Sequence, residues 1–271
     1  MSFVDKIKRS FKKKRVRIPV LILFLFFVGT FLWRACNSEV LVASKTYLLA
    51  RSSNLAPIRI EGKEPNLLAF ESDLLTQIAI DEKLKINILT VSTLDLFRPL
   101  DEEYYDAILV TIEPDPLMKE KYYISQPLLN VGPILLVPSS SNIHSLEELE
   151  GKGIGVGIES TSPLVFRFSQ KDLVLVSYPH LISALEDLDK GIIGGVIIDP
   201  VLGYTYTEGF YKNRLKVATA PLTDLAIRVV ARDTREGKYL IEHFDQGLKK
   251  IKDTGQYKEL IKKWELIEPL K

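Results

Sequence analysis

The ten residues from Gly191 to Pro200, GIIGGVIIDP, constrain the fold more than any other stretch of the chain. Ile192, Ile193, Val196, Ile197 and Ile198 form a β-branched, almost wholly apolar run that is too short for a helix and has no polar alternation. Such a run reads as a strand buried on both faces, the habit of parallel sheets covered by helices. It stops abruptly at Asp199-Pro200. In open α/β sheets, ligands bind in the crevice beyond the carboxyl ends of the strands, and Asp199 stands at such an end. The same residue can also cap a following helix, with Pro200 preset for its first turn. The two roles are compatible.

The rest of the chain supplies the helices that such a strand needs. A brief strand at Tyr47 to Ala50 precedes the polar turn Arg51-Ser52-Ser53-Asn54, and Ile58 to Gly62 reads as a hairpin arm. Between Ala69 and Lys83, Phe70, Leu74, Leu75 and Ile78 recur at helical spacing, with Glu71, Asp73, Gln77 and Asp81 read as the polar residues between them. Strands follow at Ile86 to Val91 and Tyr105 to Val110, with a short helix at Leu94 to Leu100 between them and a Pro-rich loop, Glu113 to Pro116, after them. Strand, helix, strand, helix, strand is the pattern of an α/β unit. A second unit opens at Gly132 to Val137. Ser145 is the expected N-cap of a one-turn helix, with Glu148 completing the capping box. Strands at Gly153 to Gly157 and Leu173 to Ser177 and a helix at Leu181 to Asp189 lead into the central run. Leu225 to Ala231 is the last strand, before two amphipathic helices at Lys238 to Thr254 and Gln256 to Glu265.

The first 36 residues differ in kind. Eight basic residues between Lys6 and Arg17 precede the uncharged apolar block Ile18 to Trp33, and Arg34-Ala35-Cys36 follows it. A basic region, an apolar core and a small residue before a cysteine are the parts of an export signal. The block would make a helix of about 24 Å, short of the roughly 30 Å hydrocarbon core, unless its flanking side chains snorkel. The basic side stays in the cytoplasm, which puts everything after Cys36 outside it. Cys36 is the only cysteine, so no intrachain disulfide forms. It is a candidate for lipidation, and retention of residues 18–33 as an uncleaved anchor is the alternative. Either way the folded part is tethered to the membrane. Residues 1–36 carry nine Lys and Arg against one Asp, and the remainder carries 27 basic against 34 acidic groups, a net of −7. An exported domain of that charge excludes nucleic acid as a partner.

Five segments carry a resemblance to the family-3 extracytoplasmic solute-binding proteins, the polar amino-acid receptors of ABC importers. AFESDLL (Ala69 to Leu75) resembles the family's Gly-Phe-Asp-x-Asp-Leu segment. YYDAILVTI (Tyr104 to Ile112) resembles its third strand and ISQP (Ile124 to Pro127) its Phe-Ser-Asp-Pro. SLEELEGKGIGV (Ser145 to Val156) is similar to the start of the second domain, and DTGQYKELIKKW (Asp253 to Trp264) to the C-terminal helix. The resemblance implies an α/β, two-lobed periplasmic binding protein fold of type II with two hinge crossings, preceded by the signal or anchor segment. Lobe 1 would comprise residues 46–128 and 226–271 and lobe 2 residues 133–221. The hinges would be 128–132 and 221–225, with a linker at 37–45. It also implies an inner-membrane ABC permease as partner, a small polar solute between the lobes, a periplasmic location and no cofactor or metal.

The pocket positions depart from that pattern. Thr111 matches the family's Thr-x-x-x-x-Arg, but the arginine that seizes a ligand carboxylate falls on Pro116 or Met118. Lys119 and Arg51 are the candidates for a displaced cation, each alternatively a solvated surface charge. Ser52 aligns with a ligand-contacting position after the first strand. Ser160-Thr161 matches an anion-holding helix start, with Glu159 before it where glycine is usual. Asp199 is retained, and the resemblance assigns it to the ligand's ammonium group. The expected ligand-binding set is therefore Asp199, Thr111, Ser160, Thr161, Ser52 and Arg51. Alternative functions are a degenerate lobe pair serving as sensor or assembly partner, and a dehydratase-type enzyme. His144, His180 and His243 stand apart, without HExxH, GxSxG or a phosphate loop; the expectation is a binding protein, not an enzyme.

Overall fold

The computed structural model describes residues 45–54, 62–157 and 173–266. The basic region, the apolar block, Cys36, the hairpin arm at 58–61, Ser160 and Thr161 lie outside them. Among the described residues no helix is long and apolar enough to cross a membrane.

Two sheets organise the chain. The first begins with β1 (Thr46–Ser52), α1 (Glu64–Asp81) and β2 (Lys85–Val91), a parallel pair joined through a helix. After α2 (Phe97–Asp101), β3 (Ala107–Ile112) adds on the other side of β1, again parallel. Next come α3 (Pro116–Lys121) and the short β4 (Tyr122–Ile124) and β5 (Leu129–Asn130). The chain then leaves for the second sheet, built from β6 (Ile134–Pro138), β7 (Gly153–Gly157), β8 (Val174–Tyr178), α4 (Leu181–Asp189), β9 (Gly195–Ile198), α5 (Pro200–Glu208) and β10 (Leu215–Val217). It returns as β11 (Ala226–Arg232), antiparallel to β3, β4 and β5, and ends in α6 (Arg235–Asp253) and α7 (Gln256–Lys263). The strand orders are β2-β1-β3-β11-β4, with β5 also on β11, and β10-β6-β9-β7-β8.

The apolar run read from the sequence is the central strand of the second sheet, and it is buried on both faces. Val196 and Ile198 join one apolar cluster with Ala184, Leu185 and Leu188 of α4; Ile197 joins the opposite cluster with Leu149, Ile154 and Val156. The regular strand is shorter than the run, because Gly191 turns with a positive φ and only Gly195–Ile198 pairs. The sheet is mixed: β9 is parallel to β7 and antiparallel to β6. Period-two alternation sorts the first sheet in the same way. Leu49, Leu109 and Val229 face α1, α6 and α7, whereas Ala50, Ile108 and Val230 face Leu96, Leu100 and Tyr122.

Helix α1 starts five residues before the expected boundary, with a proline in its first turn. One polar residue of that helix is not on its wet side. Positions 67, 71, 74 and 78 share a face at the helical period, and Glu71 is 3% exposed, beside buried Leu67, Leu74 and Ile78. The expected cap at Ser145 does not form. The turn is a 3₁₀ helix at Glu147–Leu149, and Glu148 instead accepts from the His144 backbone N–H at 3.3 Å.

The two passages between the sheets run side by side. Val131 N–H donates to Leu225 O (3.0 Å) and Leu222 N–H to Pro133 O (2.8 Å). Gly132 is required there: a Cβ on it would stand 2.5 Å from the Thr223 carbonyl oxygen. Tyr257 of α7 donates to Leu128 O at 2.6 Å just before the first passage.

Candidate functional site

β1 and β3 end side by side, and beyond their carboxyl ends lies a cleft of about 120 Å³. Its polar wall is Arg51, Ser52, Asn54, Glu71 and Thr111. Leu94, Leu96 and Phe97 bring apolar side chains from the segment after β2, and Ile227 closes the cleft from β11, opposite Thr111 in the ladder. The strands place these groups for a geometric reason. Parallel neighbours end together, so the last residues of β1 and β3 and the first of β11 share one edge, the edge at which the chain also crosses between sheets.

Arg51 is not a solvated surface charge, as one reading of the sequence had it. Its side chain is 12% exposed. Nε donates to Thr90 Oγ1 at 3.1 Å, across the parallel register that pairs the two residues. Nη1 donates to Leu68 O at 2.7 Å and to Glu71 Oε2 at 3.1 Å. Glu71 is therefore half of a buried ion pair held through a single guanidinium nitrogen. Burial pushes its carboxyl up from 4.5 to about 7, and the attraction and hydrogen bond of Arg51 only partly offset that. Lys119, the other displaced cation considered, is exposed on α3.

Ser52 and Thr111 meet Arg51 at the cleft. Ser52 Oγ accepts from the Asn54 N–H at 3.0 Å. Asp199 is not part of the cleft's wall. It is buried at the carboxyl end of β9 and occupies the N-cap position of α5, where its side chain makes no capping hydrogen bond and its carbonyl accepts from the Gly203 N–H. Val201, two residues on, packs into the core of the first sheet. Asp199 therefore sits where the second sheet's elements reach the first. The three histidines are scattered: His144 is exposed before the 3₁₀ turn, His180 precedes α4, and His243 stacks on Tyr239 within α6.

Glu71 is the residue that sequence reasoning passed over. Its signal was present, since the helical period that selects Leu67, Leu74 and Ile78 also selects position 71. A carboxylate on the apolar stripe of a helix needs a partner, and only the folded sheet brings Arg51 to it.

Two α/β sheets, crossed twice and edged by a polar cleft at the strand ends, define a type II periplasmic binding protein. The chain belongs to the bacterial extracellular solute-binding proteins, family 3, whose profile matches residues 49–267. It is 22% identical over 248 residues to the arginine-binding extracellular protein ArtP of Bacillus subtilis, covering 87% of this chain and 93% of that one. It is 26% identical over 200 residues to the glutamine-binding protein GlnH of the same organism's ABC transporter, covering 72% and 71%. Among solved structures, the L-cystine solute receptor of Neisseria gonorrhoeae in its unliganded open conformation superposes with a TM-score of 0.64 at 15% identity, covering 82% of this chain and 94% of that one. That likeness is one of fold. The similar curated proteins are binding proteins, not enzymes.

Proposed function

We propose that this chain is the membrane-tethered, periplasmic substrate-binding component of an ABC importer and that its solute is an amino acid or a close analogue. One observation carries the reading. A cation and two hydroxyl groups, Arg51, Ser52 and Thr111, converge from neighbouring strands on one cleft at the carboxyl edge of the first sheet. Relatives whose printed ligands are arginine, glutamine and cystine support an amino acid as the class.

In this reading Arg51 and Thr111 hold the acidic end of the solute and Ser52 the rim. Asp199 receives its ammonium group from the second lobe, where Ser160 and Thr161 help to hold the acidic end. The paired passages near residues 128–132 and 221–225 act as the hinge that closes one lobe (46–128 with 226–271) on the other (133–221). Residues 1–36 hold the protein at the membrane, through lipid on Cys36 or through an uncleaved apolar anchor, and the delivery partner is an inner-membrane permease.

The test is thermal unfolding of the protein with each of the twenty common amino acids, simple amines and short peptides at millimolar concentration. A ligand at 100 times its Kd adds about 2.7 kcal/mol of stability, so binding raises Tm measurably. If no compound in the panel raises it, the transport reading falls and a sensor or assembly role takes its place.

A further inference from the structure

The buried ion pair at the cleft is more than a brace for β1. Arg51 gives Glu71 one hydrogen bond from one nitrogen, although a guanidinium can clasp a carboxylate with two parallel bonds. Nε and Nη1 are taken by Thr90, Leu68 and Glu71. Among the described residues Nη2 has no hydrogen-bond acceptor, and Arg51 and Glu71 both line the cleft. The site thus holds a cation with donors to spare and a built-in carboxylate that already competes for it.

We propose that the cleft takes a ligand carboxylate on Arg51 and that Glu71 binds a proton as it does so, making solute capture proton-linked. This rests on the solute-binding reading above and specifies its chemistry. The physical reason is crowding of like charge. A second carboxylate on the same guanidinium, at a site with Glu71 3% exposed, would put two anions a few ångströms apart in a poorly solvated place, and protonating one of them relieves the repulsion. Free Glu71 already titrates near neutrality, so the proton is available at little cost around pH 7.

No other described charge can take over that role. Among the described residues Arg51 is the one charged group acting on Glu71. On α1 itself, Asp73 is tied to Lys263 and Trp264, and Glu64 accepts from the Gly62 N–H. β2 presents Thr90 to the pair, and β3 carries no charge at all. On β11, Arg228 donates to Ser125 O and Arg232 pairs with Glu103. Next to Leu94, Leu96 and Phe97, Asp95 and Arg98 pair with each other.

The sign follows from linkage. A ligand that raises the Glu71 pKa binds most tightly where Glu71 is already protonated. Its affinity falls as pH rises above about 7, by up to about tenfold per pH unit, until the pKa of the liganded state is reached.

Calorimetric titration of the full chain tests this with the twenty common amino acids and their carboxamides, in two buffers of different ionisation enthalpy, from pH 6 to 8.5. The expected result is binding of an amino acid but at least tenfold weaker binding of its carboxamide. A fraction of a proton is taken up per ligand at pH 7.5, and affinity is several-fold lower at pH 8.5 than at pH 6.5. Glu71→Gln abolishes the proton uptake and flattens the pH profile, and the uptake measured on the unaltered protein stands even if that variant does not fold. An amino acid that binds with no proton uptake, or a carboxamide that binds equally well, overturns the proposal and leaves the solute-binding reading intact. A panel in which nothing binds removes both.

Discussion

The raised Glu71 carboxyl makes a stability prediction that needs no ligand. Its pKa stands at about 7 in the folded protein against 4.5 ordinarily, because burial outweighs the attraction of Arg51. A group whose folded pKa is raised contributes stability that is fully present below the unfolded value and is lost as pH rises through the folded one. At about 1.4 kcal/mol per pH unit, the gap corresponds to about 3 kcal/mol, shed between pH 4.5 and 7. Glu71→Gln removes the titration while keeping an oxygen that can accept from Arg51 Nη1. The variant starts from a different absolute stability, since it leaves the largely buried Arg51 without its counter-charge, but the difference from wild type changes with pH only through Glu71. Urea unfolding in steps from pH 4 to 8.5 reads this as a difference in midpoint that changes by about 1 M across the window and is flat above pH 8. Asp245, also raised by burial, titrates in both proteins and cancels. Parallel curves for the two proteins would show that Glu71 titrates alike in the folded and unfolded states, and the account of the pair as burial-dominated would be wrong.

Further outcomes follow from the same geometry. Arg51→Met leaves Glu71 without its counter-charge, so it should cost about 3–5 kcal/mol at pH 8 and clearly less at pH 5, where the carboxyl is protonated; equal losses at both pH values would contradict this. Gly132→Ala drives a Cβ toward the Thr223 carbonyl oxygen and should cost about 1–3 kcal/mol. Hydrogen exchange should localise that loss to the Val131 and Leu222 amides, whose bonds join the two passages. Phe70→Ala empties a fully buried site packed edge-on against Tyr257 and should cost about 3–5 kcal/mol by chemical unfolding.

Much of the architecture was legible in the sequence because it depends on local periodicity. β7 at Gly153–Gly157 and α4 at Leu181–Asp189 have the boundaries that their patterns suggest. The run before Asp199 is a strand buried on both sides, since a continuous β-branched stretch has no face to offer water. The helix at Pro116–Lys121 has no counterpart in the sequence pattern, where the Pro-rich loop ends at Pro116 and residues 117–121 carry no assignment; it is one and a half turns, capped by Asp115 accepting from the Met118 N–H, and too short to show a period.

The polar cleft was less legible. Thr111 and Ser52 are named through the order of motifs as ligand contacts, and the fold puts both in the wall of the cleft. Arg51 could be named from the sequence, but its state could not, because its partners lie 17, 20 and 39 residues away and reach it only through strand register and helix docking. Glu71 followed the helical period onto the apolar face, yet an isolated sequence assigns a glutamate to water, where its solvation is best. Local spacing alone decides which residues share a face. Whether a charge on that face is tolerable depends on a counter-charge arriving from a distant part of the chain, and that only the packed sheet decides.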